Sequence, residues 1–103
     1  MNDSLALSAP AISPEVQTFA MQNGISPYLH EAIDLARQAF PSSALSVSLG
    51  QDAEDETHQY VALDIDTAGL APEELLGGQH IWSAGIGRVC PSRHAVYFVL
   101  GWR

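Results

Sequence analysis

Lysine is absent from these 103 residues, and four arginines stand against twelve acids, for a formal charge of -8. Without lysine there is no Schiff-base chemistry and no lysine base. So acidic a chain also lacks the cationic surface that holds a nucleic-acid backbone. Cysteine occurs once, at Cys90, so no internal disulfide can form and nothing points to an oxidising compartment. No uncharged apolar run approaches the ~20 residues of a membrane span. The first eleven residues hold Asp3 and no Lys or Arg, unlike a secretory signal peptide. A cytoplasmic location is therefore expected, with no membrane contact and no direct contact with nucleic acid.

Complete catalytic motifs are missing too. Asp52-x-Glu54-x-Glu56-x-His58 resembles the start of a calcium loop, but Thr57 stands where that loop needs glycine and Leu63 where it needs glutamate. Gly85-Ile86-Gly87 is followed by Cys90 at the third glycine position of a dinucleotide fingerprint, and no strand precedes it. Ser83-Ala84-Gly85 is half of a nucleophile elbow, with Ile81 in place of the leading glycine. Cys90 has no Cys-x-x-Cys partner for a structural zinc site, and the histidines are scattered at 30, 58, 80 and 94. No cofactor and no metal are expected.

What is present is a single domain's worth of chain, 47% hydrophobic, which suffices to fill one core. Residues 1–12 lack periodicity and read as a mobile N-terminal arm, leaving 13–103 as one α+β domain. Ser13-Pro14-Glu15 has the chemistry of a helix start, and Asn23-Gly24 that of a stop. Ser26-Pro27 repeats the start, with Ser26 as N-cap; Leu29, Ala32, Ile33, Ala36 and Phe40 then keep helical spacing up to Pro41. Leu45, Val47 and Leu49 alternate with serines as a first strand, and Tyr60–Asp66 forms a second across an acidic tip. From Pro72 the spacing predicts a short helix, a break at Gly77-Gly78 and another short helix, with Leu75, Leu76, Ile81, Trp82 and Ile86 inward. His94–Trp102 reads as a third strand, apolar on both faces.

The order α-α-β-β-α-β predicts a small three-stranded, mainly antiparallel sheet with helices packed on one face. Pairing the third strand with the first keeps every neighbour antiparallel. The sheet's uncovered face would then carry Ser46, Ser48, Tyr60, Ala62, Asp64, Tyr97 and Val99. Trp82 and Trp102 fit core positions, and Trp102 beside Arg103 also fits an interface anchor.

Charge is distributed in blocks. Residues 38–87 hold eight acids and no Lys or Arg, whereas 88–103 hold Arg88, Arg93 and Arg103 and no acid. A one-sided acidic field attracts basic surfaces and speeds encounter with them. The leading expectation is thus a non-enzymatic interaction or regulatory protein, of the antitoxin or immunity-protein kind, covering a basic protein surface. Glu54, Asp55, Glu56, Asp64 and Asp66 would steer association, with Tyr97, Val99 and Trp102 supplying apolar area. A homodimer through the last strand or the open sheet face is the companion expectation. The rival reading is a metal-dependent hydrolase using Asp64, Asp66 and a histidine, because Asp-x-Asp on a strand places both carboxylates on one face. A self-assembling structural subunit is the third.

Overall fold

The computed structural model describes residues 12–55 and 57–103. Of the arm at 1–12 only Ile12 falls within them; it is partly buried against the core, and its carbonyl accepts a hydrogen bond from Gln17 Nε2 at 3.1 Å. The architecture is a small α+β fold with a three-stranded mixed sheet.

Helix α1, Pro14–Gln22, begins where the capping chemistry places it: Ser13 Oγ accepts from the Val16 N–H at 3.3 Å. It ends at Asn23, followed by Gly24 in the left-handed region at φ 71°. Helix α2, Ser26–Ala39, starts one residue earlier than expected, with Ile25 rather than Ser26 at the cap and no side chain capping it. The interhelical turn is so short that buried Ile25 takes the cap position and Ser26 becomes the first helical residue. Leu29, Ala32, Ile33 and Ala36 line its buried face and Phe40 closes it, as the spacing predicts.

Strands β1, Leu45–Gln51, and β2, Gln59–Ile65, form the expected antiparallel hairpin, with Val47 opposite Leu63 and Ser46 opposite Asp64. Helix α3, Pro72–Val89, is continuous, so the predicted break at Gly77-Gly78 does not occur. Gly78 lies against the Phe40 ring and Gly85 against the Leu35 side chain; a Cβ at either place would overlap them. Spaced seven residues apart, these two glycines share one face and let α3 approach α2 closely. The buried side of α3 is therefore Gly78 and Trp82, flanked by half-buried Leu75, Gln79, Gly85 and Ile86. Leu76 and Ile81, expected inward, are 60% and 48% exposed.

After the single turn α4, Ser92–Ala95, strand β3 runs only from Phe98 to Trp102. The sheet order is β1-β2-β3, with β3 parallel to β2, which corrects the expected placement beside β1. The reason lies in which strand tolerates an edge. Val61, Leu63 and Ile65 of β2 are at most 1% exposed and profit from the central position, whereas β1 alternates with serines and ends in Gln51. A strand, a helix and a parallel neighbouring strand form the usual crossover unit.

Among the described residues two clusters make the core. The larger joins Val16, Phe19, Ile25, Leu29, Ile33 and Trp82 to Val47, Val61, Leu63 and Phe98; a smaller one groups Ala39, Phe40 and Ile65. The helices cover the sheet face that carries Val47, Val61, Leu63 and Phe98, and among the described residues no element covers the alternate face.

Candidate interaction surface

Strict alternation along β2 sends Val61, Leu63 and Ile65 into the core and turns Tyr60, Ala62 and Asp64 to the other side. Register extends that uncovered face in rows: Gly50 beside Tyr60; Ser48, Ala62 and Val99 together; Ser46, Asp64 and Gly101 together. Two glycines shape it. The Tyr60 ring lies over Gly50 and the Asp64 carboxylate over Gly101, in places a Cβ would occupy. Val99, 40% exposed, is the apolar centre of the outer strand.

Acids stand at both ends of this face. At the hairpin tip, Asp52 Oδ1 accepts from the Glu54 N–H at 2.8 Å, while Asp55 Oδ1 accepts from the Thr57 N–H at 3.0 Å and the Thr57 hydroxyl at 2.6 Å. These short side-chain turns order the tip and leave the Glu54 and Asp55 side chains in solvent. The two Thr57 hydrogen bonds, the hydroxyl's foremost, and the nearby His58 hold the Asp55 carboxyl below its ordinary value. Glu56 lies outside the described residues. At the opposite end Asp64 lies on that face, and Asp66 follows β2 directly, its Oδ1 accepting from the Ala68 N–H at 3.0 Å. The Arg103 backbone borders that end: its N–H donates to the Ile65 carbonyl at 2.9 Å and its carbonyl accepts from Thr67. Among the described residues the one ion pair is Asp34–Arg37, 3.4 Å apart on α2, so neither Asp64 nor Asp66 is paired with an arginine.

The sequence-derived candidates thus divide between two sides of the molecule. Asp64 and Val99 come together on the open face, with Asp66 just past the end of β2 and Glu54 and Asp55 at the hairpin tip. Tyr97 does not join them: it precedes β3 in a turn, and its ring packs edge-on against Phe19 of α1 with centroids 5.8 Å apart. Trp102 faces the helix side at the sheet's outer edge, 42% exposed, its ring edge-on to Phe40 at 5.6 Å. Trp82 is buried as expected. Tyr60, Ser46 and Ser48, counted in the sequence only as members of the face, are its aromatic and hydroxyl groups.

The hydrolase candidates are not assembled. Among the described residues no three His, Cys, Asp or Glu side chains gather as a metal-binding group. His58 sits at the tip against Tyr60, six residue steps from Asp64, about 20 Å at the rise of a β-strand. Cys90 is buried, 3% exposed, and burial, with the Glu31 carboxylate adding to it, pushes its thiol pKa up. No helix is long and apolar enough to cross a membrane among the described residues. Comparison with protein-family models, curated proteins and solved structures finds no match for this chain.

Proposed function

We propose that this protein is a non-enzymatic interaction protein whose open sheet face docks on a basic protein surface. The observation that carries the proposal is the face itself. Among the described residues no helix covers it and its bounding carboxylates have no ion-pair partners, and it mixes Tyr60, Ala62 and Val99 with serine hydroxyls. Apolar area at the centre with charge at the rim is the usual anatomy of a protein interface. The acids at the tip and at Asp64 and Asp66 raise the rate of encounter with a cationic partner, while Tyr60 and Val99 supply the contact that holds it. Tyr97 and Trp102 leave the docking set, because they pack on the helix side.

The test is capture from the native host at low and moderate salt, with wild type, Tyr60→Ala and Val99→Asp side by side. A stoichiometric basic partner that both substitutions release supports the proposal. Reversing charge at Glu54 and Asp55 should slow association strongly at low salt and weakly at high salt. An association rate indifferent to those changes, or a partner that survives both open-face substitutions, overturns it.

A further inference from the structure

Helix α3 departs from the pattern of a surface helix. Between Glu74 and Arg88 it carries no charged residue, although only Gly78 and Trp82 of the whole helix are buried. A helix on the outside of a small domain ordinarily turns charged and polar side chains to solvent. Here the outward stripe Glu74, Gly77, Ile81, Ala84 and Arg88 is exposed at every position, and Leu76 beside it is 60% exposed.

The stripe is symmetrical about Ile81. Three and four residues away stand Ala84 and Gly77, both small; seven residues away on either side stand Glu74 and Arg88, of opposite charge. A second copy of the same helix laid antiparallel, with a two-fold axis through Ile81, brings the two Ile81 side chains together on the axis, with Gly77 and Ala84 of each copy leaving room on either side. The same arrangement brings Arg88 of each copy to the acidic first turn of the other, at Glu73 and Glu74. A parallel arrangement would instead pair acid with acid. Gly77 has nothing within 4 Å of its Cβ direction, so a neighbouring helix can approach there. An apolar groove of about 240 Å³ between Phe40, Leu70 and Ile81 widens the same side of the molecule.

We infer that the protein forms a two-fold homodimer through antiparallel packing of the outer face of α3. The occupant is a second copy because the stripe complements itself, an Ile81 pair flanked by small residues at the centre and acid against arginine at both ends. This surface lies on the helix side of the sheet, so dimerisation leaves both open faces free. The inference does not rest on the proposed docking role of that face. One helix pair with its flanking groove lies at the lower end of stable interface sizes, so the dimer is concentration-dependent.

Sedimentation equilibrium on the full chain tests it. Wild type should show a monomer–dimer equilibrium that Ile81→Asp abolishes, with circular dichroism and melting of the monomer retained, while Val99→Asp leaves it in place. Arg88→Glu should weaken the dimer, and combining it with Glu73→Arg should restore it. Helix axes about 8–10 Å apart set facing Cα atoms roughly 4–5 Å from each other, within disulfide reach. Ile81→Cys should therefore oxidise to a covalent dimer, and Thr18→Cys on α1 should not. A monomer at all concentrations, a dimer that survives Ile81→Asp, or one lost only in Val99→Asp overturns the inference.

Discussion

Gly77 and Gly78 are neighbours with opposite duties. Gly78 is buried against the Phe40 ring, whereas the Cβ direction of Gly77 is empty. Gly78→Ala should destabilise the fold by about 1–3 kcal/mol through overpacking. Gly77→Ala should stabilise it by about 0.5–1 kcal/mol, because helix propensity improves without a clash. Urea denaturation at dilute, monomeric concentration measures both. Cys90 makes a second prediction at this scale. Its buried, raised-pKa thiol should resist iodoacetamide in the native protein and react promptly once unfolded. Asp55 supplies a third, through pH. Its carboxyl is held below the ordinary value in the folded protein, so its stabilising contribution is in place above the unfolded-state pKa and fades as pH falls through the lowered folded value. Full exposure keeps the effect small. Thr57→Val, which removes the hydroxyl donor, should move the Asp55 titration upward in a carboxyl NMR experiment.

At the scale of elements, the features readable in the sequence were those written in local chemistry. Ser13-Pro14 announced α1, the Leu29 to Phe40 spacing announced α2, and serine alternation announced β1. What misled lay in tertiary context. Glycines at 77, 78 and 85 look the same in sequence whether they break a helix or admit a neighbouring one; only the approach of Phe40 and Leu35 tells these apart. Strand neighbours are likewise silent in a linear pattern, and so β3 pairs with β2 instead of β1. Tyr97 has the parity of the open face, yet it lies outside the strand, where parity no longer governs where a side chain points. The acidic half of the candidate surface was legible from composition and Tyr60 from strand alternation, whereas Tyr97 was misplaced by that same alternation. Trp102, at an unpaired edge with one ring contact to Phe40, should be worth about 1–2 kcal/mol when cut to alanine, less than a core tryptophan. Its thermal melt checks that.

Across the whole molecule the charges do little to hold the fold together. The one ion pair among the described residues is exposed and contributes about 0.5 kcal/mol or less. The remaining acids repel one another at a net charge of -8. Raising ionic strength from very low to about 0.1 M, where the screening length is about 10 Å, should therefore raise the melting temperature. The sheet order also has a consequence in time. The hairpin of β1 and β2 closes across residues 52–58, whereas β3 reaches β2 only after residues 66–97 have been looped out. Chain entropy makes that second closure roughly 1 kcal/mol harder, before any contact rewards it. The hairpin should therefore form in the folding nucleus and the last strand after the barrier. Val47→Ala should slow refolding, and Leu100→Ala should leave refolding unchanged while hastening unfolding. The strand that completes the sheet would then set how long the native state lasts and have little say in how quickly it forms.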